Sequence, residues 1–363
     1  MNVHNFWNNQ PIDISKNSTE SKYINLKKIE EIQKEPYQLP KAFEWYNIDL
    51  NNDNELKELL EFIGNYYYYD SSKPVEFTLD FFRWLTMPPN DLIITIKCLN
   101  KIVACICGIP MDLLIYGEKV KAMQINFLCV HPKMRNKNFA PLLIKEVTRR
   151  TNLKDIWTAI YTGDKNLPNE LVRCDTYIRP LNISKLVDLE IMERPKNNEF
   201  KTIKHPTLNI RKLNENDCEI CCEKFNNFKK KYKIAVYFEL ENFKHHFLGI
   251  DSYVVETDNE ITDFFSFFPL NIKYKDPKKY EKINRYILYH YFNLKNDINE
   301  LIENLLYIIK NKGGDYVSCL EQYDNKKFFN NLEFKRATTY LNFFLYNWIC
   351  PAIEKKDLGV ILI

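Results

Sequence analysis

The residues Gln124-Ile125-Asn126-Phe127-Leu128-Cys129-Val130-His131-Pro132 read as a strand that stops at a proline. Lys133-Met134-Arg135-Asn136-Lys137-Asn138-Phe139-Ala140-Pro141 follows as a basic loop entering a helix. The start of a helix presents backbone N–H groups with no intrahelical partner, together with the positive end of the helix dipole, so an anion settles there. Pro141 suits the first helical turn, and Arg135 and Lys137 add charge beside it. A pyrophosphate is the guest that fits. A basic loop alone would be an ordinary solvated turn; the whole string and its neighbours tip the balance. A second feature lies at the end of the sequence, Leu358-Gly359-Val360-Ile361-Leu362-Ile363. Such an apolar run is expected to be buried and to carry the α-carboxylate of Ile363 inward. That placement is costly unless the carboxylate is paired or used, so Ile363 is a candidate for chemistry.

The elements that must position these groups follow from periodicity. Residues 54–69 read as a helix with Leu56, Leu59, Leu60 and Ile63 on one face. Thr78 caps a short helix through Leu85, which Pro88-Pro89 stops. Strands are expected at 92–99, 101–110, 120–130 and 156–161, with the helix 141–151 between the last two. Residues 182–204 read as a connection. Beyond it Asn214 caps a helix from about Glu215, and 252–257 and 261–268 form a hairpin around Asp258-Asn259. Residues 299–312 form an amphipathic helix ending at Gly313-Gly314, and 316–320 and 339–348 are strands. The order helix, hairpin, strand, helix, strand thus occurs twice, which points to duplicated α/β halves.

Composition narrows the function classes. The chain has 363 residues, 45% hydrophobic and 14% aromatic, enough for two domains or one large duplicated one. A net charge of +3 is too near balance to argue for nucleic acid. The ten cysteines form no regular framework and read as free, buried thiols in a reducing compartment. Cys218, Cys221 and Cys222 read as the side of a helix rather than half a zinc site, and no metal is expected. His245, His246 and His290 read as isolated residues on helix surfaces. No signal peptide or bilayer-spanning run is seen, so a cytoplasmic protein is expected, acting as a monomer.

The run Ile125 to His131, then Arg135-x-Lys137-x-x-Ala140-Pro141 through Arg149-Arg150, closely resembles the glycylpeptide N-tetradecanoyltransferase (N-myristoyltransferase) family. So do Phe6-Trp7-x-x-Gln10-Pro11, Phe81-x-x-Trp84-x-x-x-Pro88-Pro89 and Ile160-Tyr161-Thr162-Gly163. In the second half Tyr253-Val254-Val255-Glu256, Ile261 to Phe267, Leu345-Tyr346-Asn347-Trp348 and the Gly359-Val360-x-Leu362 ending match as well. The resemblance runs in order along nearly the whole chain.

The resemblance implies an α/β (α+β) fold of two GCN5-type acyltransferase halves, 1–195 and 205–363, sharing a continuous, largely antiparallel, curved sheet flanked by helices. The first half would bind the acyl-CoA, the second the peptide. The implied reaction moves myristate from myristoyl-CoA, a substrate rather than a resident cofactor, to the N-terminal glycine of client proteins. By resemblance, the backbone N–H groups of Phe127 and Leu128 form the oxyanion hole, the carboxylate of Ile363 is the base, and Asn126 and Thr162 position the amine. CoA contacts fall on Asn5, Phe6, Trp7, Phe127, Leu128, Cys129, Val130, Arg135, Asn136, Lys137, Asn138, Phe139 and Ala140. Peptide contacts fall on Asp70, Tyr161, Thr162, Ser266 and Asn347.

The sequence also departs from the family. Its loop usually reads Arg-Ser-Lys-Arg and here reads Arg135-Asn136-Lys137-Asn138, one cation fewer. The acidic peptide-facing loop keeps only Asp70, a peptide-contacting histidine is replaced by Ile178, and a Gly-Asp-Gly turn is Ala337-Thr338-Thr339. These changes lie on the peptide side, so the expectation is retained chemistry with a shifted peptide preference and less demand for lysine. An inactive relative that binds acyl-CoA or glycyl peptides, and an enzyme that acylates lysine side chains, remain the alternatives.

Overall fold

The computed structural model describes residues 6–7, 10–12, 18–67, 75–86, 92–163, 167–196, 199–273 and 279–362. In chain order its strands are β1 (Lys22–Tyr23), β2 (Glu44–Asn47), β3 (Ile93–Cys98), β4 (Lys101–Ile115), β5 (Glu118–Val130), β6 (Thr158–Gly163), β7 (Glu170–Pro180), β8 (Ile210–Lys212) and β9 (Ile234–Tyr237). They continue with β10 (Asp251–Thr257), β11 (Glu260–Pro269), β12 (Ile272–Lys273), β13 (Lys282–Ile283), β14 (Arg285–Asn293), β15 (Tyr316–Leu320), β16 (Lys335–Tyr346), β17 (Trp348–Ile349) and β18 (Leu358–Gly359). The α-helices are α1 (Asp53–Tyr66), α2 (Leu79–Thr86), α3 (Phe139–Asn152), α4 (Ile183–Asp188), α5 (Cys218–Lys229), α6 (Leu240–Leu248), α7 (Ile298–Asn311) and α8 (Lys326–Phe329). The fold class is α/β. The chain divides into one unit of residues 1–173, 342–353 and 362–363 and another of 174–341 and 354–361.

In the first unit β2, β3, β4 and β5 pair antiparallel in turn. β6 then lies parallel to β5, and residues 342–346 of β16 lie antiparallel to β6. A parallel step needs a crossover, and α3 supplies it. Its Phe139, Leu143 and Val147, spaced four apart on one face, pack with Leu92, Ile94, Ile106 and Met123 in a buried core. The Thr78 hydroxyl accepts from the Phe81 N–H at 3.1 Å, the expected cap of α2.

The second unit repeats the scheme. β10 and β11 form the hairpin and β14 pairs antiparallel with β11. β15 lies parallel to β14 after the crossover helix α7. Residues 176–180 of β7 close the far side and β8 the near side. Asp258 and Asn259 both have positive φ (55° and 63°), the left-handed pair that a two-residue hairpin turn needs. The tail strand β18 pairs parallel with β9.

Several expectations shift. Helix α3 begins at Phe139, two residues before the expected start, and β16 begins at Lys335 and stops before Asn347, whose φ is +58°. The expected connection 182–204 contains α4, capped by Asn182. After Asn214 one 3-10 turn, 215–217, precedes α5. His290 is not on a helix surface: it lies inside β14, 1% exposed. His245 and His246 do lie on a helix, α6. Pro88, Pro89 and Tyr68 to Ser72 fall outside the described residues. All ten cysteines are free, eight of them buried.

Candidate active site

The first unit contains a defect in its ladder. Cys105 faces Cys129 and Cys107 faces Asn126, so two residues of β5, Phe127 and Leu128, stand opposite the single Ile106 of β4. This is a β-bulge. Phe127 takes a left-handed conformation, φ +52°, which costs a bulky residue roughly 1–2 kcal/mol. The ring offsets that cost. It is 2% exposed and lies 5.6 Å from Tyr67, 5.2 Å from Phe77 and 5.5 Å from Phe82. Burying a phenylalanine is worth about 1.5–3 kcal/mol. The Phe127 carbonyl accepts from the Cys105 thiol at 3.3 Å. In a trans peptide the N–H points opposite to the C=O, so the Leu128 N–H is directed away from β4.

On that other side β6 has departed. Pairing of β5 with β6 runs from Ala122–Thr158 to Ile125–Tyr161 and stops there, although β5 continues to Val130 and β6 to Gly163. β6 keeps its partner β16 instead, through Gly163–Asn342. The two parallel strands therefore splay beyond residue 125, leaving one edge of 126–130 without a neighbouring strand among the described residues. Asn126, Phe127 and Cys129 are buried, and Leu128 and Val130 are half-buried.

Just past the splay comes the basic loop. Arg135, Asn136, Lys137 and Asn138 are exposed, while Phe139 is buried and Ala140 half-buried. Asn136 and Asn138 both have positive φ, 68° and 62°, and asparagine tolerates that conformation well. The two departures from the usual family loop thus sit at its two left-handed positions. The N-cap Asn138 makes no side-chain hydrogen bond to the helix, so the first N–H groups of α3 face outward beside Lys133, Arg135 and Lys137. Among the described residues this is the arrangement best suited to a pyrophosphate. His131 turns its Nδ1 to the Lys133 N–H at 3.2 Å, a turn histidine rather than a base.

Phe6 and Trp7, near the start of the sequence, belong to this unit as well. Trp7 stacks on Tyr161 at 6.1 Å, and Tyr161 stacks on Phe344 at 5.2 Å. Phe6 meets Trp7 edge-on at 5.3 Å. The Tyr161 hydroxyl has no hydrogen-bond partner among the described residues, and burial raises its pKa. Thr162 is half-buried beside it. The amide of Asn347 is fully engaged: it accepts from the Asn25 N–H at 2.8 Å and donates to the carbonyls of Asn25 (2.7 Å) and Trp157 (2.8 Å).

In the second unit Ser266 is fully buried. Its hydroxyl donates to the His290 carbonyl at 2.9 Å and accepts from the His290 N–H at 3.1 Å. It stands at the matching defect there: Phe265 faces Tyr291 and Phe267 faces Leu288, so Ser266 opposes two residues of β14. Asp263 is structural, its carboxylate accepting from the N–H groups of Leu294, Lys295 and Asn296. Asn5, Asp70 and Ile363 lie outside the described residues. The tail before Ile363 is anchored: the Gly359 carbonyl accepts from the Tyr323 hydroxyl at 3.0 Å.

Sequence reasoning missed two groups. Asn342 is fully buried with both amide atoms unpartnered; its only sequence signal is a polar residue in the apolar alternation of β16. Lys229 is also fully buried. It lies 3.5 Å from His290 Nδ1 and 3.6 Å from the centre of the Tyr323 ring, and burial holds its pKa well below the usual lysine range.

A splayed parallel pair, a bulge with an outward N–H and an uncapped basic helix start make a site suited to an acyl donor that carries a pyrophosphate. Comparison with known proteins agrees. Residues 23–174 match the N-terminal domain of myristoyl-CoA:protein N-myristoyltransferase, and 186–360 match its C-terminal domain. Glycylpeptide N-tetradecanoyltransferase of Saccharomyces cerevisiae is 32% identical, over 96% of this chain and 86% of the relative. Glycylpeptide N-tetradecanoyltransferase 2 of Bos taurus is 31% identical, over 99% and 76%. The crystal structure of the Saccharomyces cerevisiae enzyme with bound myristoyl-CoA superposes with a TM-score of 0.94 at 31% identity, covering all of both chains. A GCN5-related N-acetyltransferase from Anabaena variabilis shares the fold at TM-score 0.51 and 11% identity, over 84% of this chain and 72% of its own. The chain belongs to the N-myristoyltransferase family, and it is an acyltransferase.

Proposed function

We propose that this protein transfers a myristoyl group from myristoyl-CoA to the N-terminal glycine amine of protein substrates by direct attack. The observation that carries this reading is the left-handed bulge at Phe127–Leu128 beside the strand edge that β6 abandons. The thioester carbonyl lies against the bulge, where the N–H groups of Phe127 and Leu128 meet the negative charge that develops on its oxygen. One such fixed donor is worth about 3 kcal/mol. The pyrophosphate rests on the outward N–H groups of Phe139 and Ala140, flanked by Arg135, Asn136, Lys137 and Asn138. Cys129 and Val130 line the pantetheine arm, and Asn5, Phe6 and Trp7 cover it.

The glycyl group arrives as an ammonium and must lose a proton to attack. The carboxylate of Ile363 takes it, and Asn126 and Thr162 hold the amine in line. The nitrogen bonds to the thioester carbon, the tetrahedral intermediate collapses, and the CoA thiolate leaves and is protonated. Glycine is required because a side chain on the attacking residue would collide with the slot. Residues 1–195 serve the donor and 205–363 the peptide and base. Asp70, Tyr161, Thr162, Ser266 and Asn347 bound the peptide path, the last two by holding backbone in place.

The test is transfer of a labelled acyl chain from myristoyl-CoA to a Gly-peptide, with the matching Ala-peptide as control. Labelling of the Gly-peptide alone is expected. Equal labelling of both, or of neither, overturns the reading.

A further inference from the structure

One buried side-chain amide, that of Asn342, has no task in the scheme above. Both amide atoms of Asn342 and the Tyr161 hydroxyl lack hydrogen-bond partners. In the β6–β16 register Asn342 faces Gly163, and Phe344 faces Tyr161. Opposed residues of an antiparallel pair share a face, and every second residue returns to it. Asn342, Gly163 and Tyr161 are therefore on one face, at the end of the splay. Gly163 contributes no side chain; a Cβ there would meet Phe344 at 3.6 Å and Leu167 at 3.9 Å.

A buried amide left unsatisfied on both its donor and its acceptor is costly. Its chemical complement is a secondary amide, which offers an acceptor and a donor to match. We propose that Asn342 is a substrate-binding residue that hydrogen-bonds a secondary amide, with the Tyr161 hydroxyl as a further contact. That group belongs either to the pantetheine arm of the acyl donor or to the first peptide bond of the glycyl acceptor. The inference rests on the acyl-transfer reading and names a recognition element within it.

The test uses the full chain and the variant Asn342→Leu, which keeps approximate shape and removes both polar atoms. Titration calorimetry measures myristoyl-CoA and a Gly-peptide separately, the peptide in the presence of a non-reactive thioether analogue of the donor. A depsipeptide with an ester at the first bond lacks the peptide N–H. Thermal melting of the unliganded proteins is read alongside. A residue held for a ligand predicts that Tm stays level or rises in the variant, because an orphaned amide is lost, while one ligand binds about tenfold more weakly. A weaker myristoyl-CoA complex identifies the pantetheine amide. A weaker peptide complex, with the depsipeptide equal for both proteins, identifies the peptide bond. Unchanged affinity for both ligands overturns the proposal and leaves the amide to a buried water. Should Asn342→Leu fail to fold, Asn342→Ser is titrated in the same way and judged by the same outcomes. Because the readout is binding, it decides the matter even if no acyl group is transferred, a result that would count against the acyl-transfer reading alone.

Discussion

Substituting Gly359 by alanine tests whether the placement of the C-terminal tail matters to the chemistry. Gly359 faces Ala235 in the parallel pairing of β18 with β9. A Cβ at 359 would come within 2.8 Å of the Ala235 Cβ and 2.9 Å of Tyr232 Cδ2. Carbon atoms settle at about 3.5–4.0 Å, so the tail must retreat by about 1 Å or Tyr232 must turn. Tyr232 is 5% exposed and lies against the rings of Phe228 and Tyr323, which leaves it little freedom. Overpacking of this kind costs about 1–3 kcal/mol, and the retreat would also stretch the 3.0 Å bond from the Tyr323 hydroxyl to the Gly359 carbonyl. If the carboxylate four residues on is the base, as proposed above, a shifted tail slows transfer, since 1 Å of misplacement of a reacting group can cost about 100-fold in rate. Residues 126–140, proposed above to bind the donor, belong to the unit of residues 1–173, and Gly359 belongs to the other. Gly359→Ala is therefore expected to melt a few degrees lower, bind myristoyl-CoA as before by calorimetry, and transfer the acyl chain 10- to 100-fold more slowly in single turnover. Adding Ala235→Gly removes the nearest contact and should restore part of the rate. Full turnover in the single variant, despite a lowered Tm, would refute the reasoning that the tail supplies the base.

Three further outcomes concern stability. His290 is held well below its ordinary pKa by burial, with Lys229 and His246 adding to the effect, and His246 is pushed down to about 3 by burial and by His245. Below about pH 6.5 the unfolded chain takes up protons that these folded histidines refuse, so stability should fall on acidification from pH 6.5 and be indifferent to them above it; denaturant titrations at stepped pH measure this. Lys229 has the same sign at higher pH, losing stability as pH falls below the ordinary lysine value, so Lys229→Met should stabilise at pH 7 by about 1–4 kcal/mol, with the gain shrinking toward pH 10. Glu146, fully buried, accepts from Arg149 (2.7 Å), Arg150 (2.7 Å) and the Tyr37 N–H (3.2 Å); Glu146→Ala should cost about 3–5 kcal/mol by leaving buried guanidinium unpaired, read as a drop in the urea midpoint.

What was legible in the sequence was local. The Thr78 cap, the Asp258-Asn259 turn and the stop of α7 at Gly313 depend on side chain and backbone within a few residues, and all three are found. The strand, basic loop and helix around 124–150 were equally plain because their chemistry is contiguous. The bulge was not, since nothing in Phe127 announces a left-handed backbone; three rings from distant segments hold it there. His290 was misjudged because histidine is found both buried and exposed, and what buries it is remote: Tyr323, in the turn after β15, meets its Nδ1 at 2.5 Å. Ser266 and Asn347 were read as peptide contacts from resemblance; that their polar atoms are spent on backbone depends on partners 24 and 322 residues away.

The paired defects in β5 and β14 have an architectural meaning. Where the first unit sets apolar Ile106 against its bulge, the second sets Ser266, whose hydroxyl takes up the His290 N–H. The His290 N–H is therefore turned toward β11 and consumed there, whereas the Leu128 N–H is directed away from β4. The same irregularity occurs twice in this chain with opposite outlets, open in the first unit and closed on itself in the second.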